Sequence, residues 1–146
     1  MKAKLLLLFV LFTIEAKAQS AEQSAIERAC LNYIEGFYEG DTAKLIQCLS
    51  PALHKYGYYK TKNDAYVGDQ MTYAQALEYA KNVLAKKTFA KPDAPKTVAV
   101  LDVQEHVACA KVVAWWGMDY MLLSKKDGQW MIEQVLWQGP LKTVTK

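Results

Sequence analysis

Little in this sequence answers to the common catalytic chemistries. Its three cysteines, Cys30, Cys48 and Cys109, have no Cys-x-x-Cys spacing, and only His54 and His106 could join them as soft ligands. No zinc site is expected. There is no serine-centred nucleophile elbow, no glycine-rich phosphate loop and no pair of metal-spaced carboxylates, which sets aside hydrolase, kinase and metalloenzyme chemistry and leaves no expected metal or cofactor. Repeats, low-complexity tracts and linkers are also missing.

The chain lacks a real excess of charge. Its formal +3 comes from 18 basic and 15 acidic residues, but Lys2, Lys4, Lys17 and Glu15 fall within the first 18 positions. That stretch has the order of a cleavable secretory signal: lysines, an apolar block over residues 5–14 too short to span a bilayer, then Ala16-Lys17-Ala18 before Gln19. Cleavage there removes 18 of the 146 residues and leaves 128, with 15 basic and 14 acidic side chains. Such a domain offers no basic stripe to nucleic acid or an anionic membrane. The residue immediately after the cleavage point is Gln19 and not a cysteine, so no lipid anchor is expected and the expected location is secreted or periplasmic. The reading is a signal peptide over 1–18 and one domain over 19–146.

What is present is patterned apolar sequence. Ser24 and Glu27 form a capping-box pair ahead of Ile26, Cys30, Tyr33, Ile34 and Phe37, a helical stripe ending at Gly40. Asp41 caps a second short helix carrying Leu45, Cys48 and Leu49, stopped by Ser50-Pro51. Cys30 and Cys48 lie on the apolar faces of these helices, where they either pack as small hydrophobes or pair as a disulfide. Residues 53–59 and 66–68 predict a small irregular hairpin, and Thr72 with Gln75 caps a third helix with the stripe Ala76, Leu77, Ala80, Val83 and Leu84. After the Pro92 and Pro95 break come four strands in series, the last two joined through Asp127-Gly128, a two-residue turn that needs positive φ. Helices followed by consecutive strands predict an α+β domain.

This order, with residues 33–41 (Tyr-Ile-Glu-Gly-Phe-Tyr-Glu-Gly-Asp), Leu49-Ser50-Pro51, Met71-Thr72 and residues 127–132 (Asp-Gly-Gln-Trp-Met-Ile), resembles the "putative lumazine-binding" family of the nuclear transport factor 2-like superfamily. The resemblance covers nearly all of the chain after residue 18. It implies a cone-shaped α+β fold, three N-terminal helices on a curved, mainly antiparallel sheet, with a cavity inside the cone and a dimer contact on its outer face.

With two-residue loops at Gly117-Met118 and Asp127-Gly128, period-two alternation sorts the strands into two faces. Ala108, Ala110, Val112, Ala114, Trp116, Asp119, Met121, Leu123, Trp130, Ile132, Gln134 and Leu136 fall on the face assigned to the cavity. Lys111, Val113, Trp115, Tyr120, Leu122, Met131, Glu133, Val135 and Trp137 fall on the other. The expected ligand-binding set is Tyr33, His54, Trp116, Asp119 and Gln134. Trp115, Tyr120, Val135 and Trp137 are the expected homodimer contact, since a large apolar patch marks an interaction site. A mostly apolar pocket with few polar groups describes binding of a small apolar or planar ligand better than it describes a mechanism. The alternative, which the resemblance implies because some relatives in that superfamily use an Asp or His base and a Tyr donor in the cavity, is an isomerase or dehydratase for a hydrophobic cyclic substrate, with Asp119 or His54 as base and Tyr33 as oxyanion donor.

Overall fold

Nothing between residues 19 and 23 breaks a helix, and in the computed structural model the first helix, α1 (Lys2–Glu39), runs straight through the position where Ser24 was expected to cap it. Ser24 instead donates its hydroxyl back to the Ser20 carbonyl at 2.9 Å, the bond a serine makes inside a helix. The structure describes residues 2–141, with side chains from 19 onward, so the leader expected over 1–18 lies outside the described side chains. Among the described residues no helix is long and apolar enough to cross a membrane.

Gly40 ends α1 at φ +70°, and Asp41 then caps α2 (Thr42–Cys48), its carboxylate accepting from the backbone N–H groups of Ala43 and Lys44 at 2.9 and 3.2 Å. Two strands follow, β1 (Leu49–Lys60) and β2 (Tyr66–Met71). They form a regular antiparallel hairpin in the main sheet, longer than the irregular one expected. The Thr72 capping box starts α3 (Tyr73–Lys86) as the sequence implies, burying Ala76, Ala80 and Val83 while Leu84 stays exposed. Then come β3 (Thr97–Val103), β4 (Val107–Ala114), β5 (Gly117–Lys126) and β6 (Gln129–Gln138).

The six strands lie in the order β2-β1-β6-β5-β4-β3, antiparallel throughout except where β1 runs parallel to β6. All three helices pack on one face, and the core is shared between α1 (Ile26, Tyr33, Ile34, Phe37) and the inward residues of β4 to β6. Cys30 and Cys48 are buried there as free thiols, burial pushing Cys30 up to about 12 and Cys48 higher still.

Two registers differ from expectation. The β4–β5 turn is Trp115-Trp116, two residues earlier than expected, so Ala114 lies opposite Gly117 where the expected loop would put Met121, four residues on. An even shift preserves period-two parity, so the faces of β4 and β5 stand. In β6, Leu123 still pairs with Ile132, but Leu122 pairs with Gln134, leaving Glu133 as an extra residue. This β-bulge reverses the faces after it. Val135 and Trp137 turn under the helices, while Gln134 and Leu136 turn to the open face.

Candidate functional site

Under the helices, the end of the sheet near the β4–β5 turn encloses a cavity of about 200 Å³ lined by Tyr33, Phe37, Lys55, Met71, Tyr79, Trp115, Trp116 and Trp137. Each wall has a local cause. Leu53, Lys55 and Gly57 alternate inward along β1, and Gly57 is required because a Cβ there would lie about 2.1 Å from the Trp137 indole of the adjacent strand. Trp137 therefore lies across the β1 backbone, beside Lys55. Tyr38 of α1 fixes the opposite wall: its hydroxyl accepts the Trp115 N–H at 2.8 Å and donates to the Pro95 carbonyl. That holds the Trp115-Trp116 turn against α1, where the Trp116 ring meets Tyr33, Phe37 and Tyr38 edge-on at 5.6 to 6.0 Å between centroids.

The most unusual member is Lys55. It is 6% exposed. Its Nζ donates to the Tyr33 hydroxyl at 2.7 Å and lies 5.4 and 5.0 Å from the centroids of the Tyr33 and Trp137 rings. Such face contacts favour a cation, yet they replace water poorly. Burial lowers the Lys55 pKa to about 8, against a smaller upward pull from the Asp119 carboxylate. Tyr33 is fully buried, and burial first, then Asp119 beside it, raises its phenol well above the usual range. Tyr33 is therefore a neutral hydroxyl at any ordinary pH, and Lys55 is an ammonium close to releasing its proton.

Of the five expected ligand contacts, the structure brings two to the cavity wall, Tyr33 and Trp116. Asp119 is wholly buried and accepts the Trp116 Nε1–H at 3.0 and 3.2 Å on its two oxygens. It positions the indole without lining the cavity. Gln134 and His54 are corrections: they are cross-strand neighbours, both exposed, on the open face. The bulge at Glu133 moved Gln134. His54 follows from the alternation of β1, which sends Leu53 and Lys55 inward and His54 outward. Neither expected base, Asp119 or His54, stands at the cavity. Of the expected dimer contact, Tyr120 is on the open face, Trp115 is an exposed turn residue at the cavity's edge, and Val135 and Trp137 lie beneath the helices. Lys55, Phe37, Met71 and Tyr79 went unnoticed as site residues in the sequence. For Lys55 the signal was there, since a strand that buries Leu53 must also bury the residue two places on.

The family described as "Putative lumazine-binding" matches residues 21–138. No curated protein matches the sequence. Among solved structures, a nuclear transport factor 2-like protein of unknown function from Shewanella baltica is 18% identical, covers 81% of this chain and 93% of its own, and superposes with a TM-score of 0.61. Its counterpart from Methylobacillus flagellatus is 16% identical over 81% and 91%, with a TM-score of 0.62. The association domain of C. elegans CaMKII is 13% identical over 84% and 98%, with a TM-score of 0.55. At these identities the likeness is one of fold.

Proposed function

This chain belongs to the "putative lumazine-binding" family, and from that membership and the walls of its cavity we propose that it binds one small, ring-bearing ligand with a hydrogen-bond acceptor directed at Lys55. The observation that carries this reading is the one buried ammonium among the described residues, Lys55, at the wall of a pocket lined otherwise by aromatic rings and Met71. Lys55 Nζ has three N–H donors, of which Tyr33 takes one. A ligand carboxylate or carbonyl is the natural partner for another. The volume suits one substituted ring: an apolar cavity of about 150 Å³ takes benzene, and this one measures about 200 Å³. Phe37, Trp116 and Trp137 supply flat surfaces for such a ring.

Isothermal titration with benzoate, benzyl alcohol and benzylamine tests the reading. Benzoate should bind tightest and benzylamine least, because the latter places a second cation beside Lys55. In the Lys55→Met protein the preference for benzoate should vanish while benzyl alcohol still binds. If none of the three binds at millimolar concentration, the cavity is not a ligand site.

The domain acts, on this reading, after export, with cleavage between Ala18 and Gln19 that the mass of the protein from its host would check. It acts as a homodimer through the open sheet face. The bulge in β6 recentres that contact on Tyr120, Leu122 and Leu136.

A further inference from the structure

We propose that Lys55 is a carbonyl-capturing amine: its Nζ condenses with an aldehyde or ketone seated in the aromatic cavity, giving an imine and water, with the Tyr33 hydroxyl relaying the protons. The inference rests on the binding reading above and narrows the ligand class to carbonyl compounds.

The geometry supplies what such a reaction needs. Lys55 Nζ lies at the cavity wall, and the one hydroxyl within hydrogen-bond distance of it among the described residues, Tyr33 at 2.7 Å, lines the same cavity. The two come from different elements, β1 and α1, and meet only because the inward register of β1 faces the apolar stripe of α1. Apolar rings of Phe37, Trp116 and Trp137 line the same pocket, and Lys55 is itself buried, so the amine meets the ligand with little water around it.

The neutral amine attacks the carbonyl carbon, forming the N–C bond as the C=O π pair moves to oxygen. The nitrogen's proton passes through Tyr33 to that oxygen and gives a carbinolamine. The C–O bond then breaks, and the departing hydroxide leaves as water with a proton from Tyr33, which is restored by the second proton of the nitrogen. Amine and carbonyl become imine and water, with no change in oxidation state and no other reactant.

Two features keep the amine available. The titratable groups around it are Tyr33 from α1, Asp119 from β5 and Tyr79 from α3, and no carboxylate lies within salt-bridge distance of Nζ among the described residues. Burial also lowers its pKa from 10.5 to about 8, so at pH 7 it is neutral about 300 times more often than an exposed lysine. A lysine desolvated in an apolar pocket is activated in this way for Schiff-base chemistry.

Benzaldehyde with sodium cyanoborohydride at pH 7 tests the proposal, with the labelled lysines mapped by peptide mass spectrometry and benzyl alcohol titrated in parallel as the non-reacting ring of the same size. The expected result is a benzyl adduct at Lys55 at least tenfold faster than at any exposed lysine, competed away by benzyl alcohol. Tyr33→Phe should slow the labelling of Lys55 at saturating benzaldehyde, where any change in affinity no longer affects the rate. If benzyl alcohol binds but Lys55 is labelled no faster than Lys62 or Lys91, the amine is not a carbonyl trap and the binding reading survives alone. If benzyl alcohol does not bind and Lys55 is unlabelled, both readings fall.

Discussion

A buried ammonium is an expense that the rest of the fold must offset, and Lys55 makes that measurable. Its folded pKa, about 8, lies below its ordinary 10.5. Between those values the unfolded chain holds more protons, so stability rises with pH across this window, and below pH 8 the full penalty applies. Lys55→Met keeps a similar volume and removes the charge. It should stabilise the protein at pH 7 by up to about 3 kcal/mol, the upper bound set by the shift, with the gain falling away as the pH approaches 10.5. Urea unfolding of the two proteins at pH 7 and pH 10 compares them directly. A variant less stable at both would mean that the bond to Tyr33 and the ring contacts outweigh desolvation. Lys55 was legible only by rule, as the residue two places from Leu53, and an aromatic-rich stretch with an uncertain strand start hid that rule.

At the scale of elements, the sequence was readable wherever a single residue sets a local geometry. Asp41 and Thr72 cap their helices, and Asp127 and Gly128 adopt φ of 49° and 81° in a two-residue turn. It was unreadable at the bulge. Period-two alternation carries no mark of an inserted residue, and Glu133 is held by contacts across the strand pair: Ser124 donates to its carboxylate at 2.6 Å and Lys126 pairs with it. One residue of error there exchanged Val135 and Trp137 for Gln134 and Leu136, and with them one of the five predicted site residues, Gln134, and half of the predicted interface. Deleting Glu133 should close the bulge without turning the strand over, since Ile132 would still face Leu123 and Gln134 would still face Leu122, which keeps Val135 and Trp137 on the helix side. Circular dichroism should show cooperative unfolding for the deletion as for Glu133→Ala; a deletion variant that loses it would mean that the bulge itself, with its Ser124 and Lys126 contacts, is required by the fold.

For the whole molecule, the open face is the largest matter outside the cavity. Tyr120, Leu122 and Leu136 are each about half exposed and adjoin one another through the β4–β5–β6 pairing, beside Tyr56 and His54 of β1. Light scattering should find dimers at micromolar concentration, and Leu122→Glu should return monomers with unchanged ligand affinity; a monomeric parent protein would remove the dimer. The fold class and the three-helix layer were legible from the order of elements, but the parallel pairing of β1 with β6 was not, because neither strand's own sequence names a partner so far along the chain. That pairing also sets a schedule. Helices α1 to α3 and the β1–β2 hairpin precede β6 in chain order, yet β1 gains its second neighbour, and Lys55 its Trp137, only when β6 arrives. Contacts of such separation close late. Until β6 has been synthesised, then, Lys55 lacks the Trp137 ring beside it, and the pocket that buries the amine is complete only once the C-terminal strand is in place.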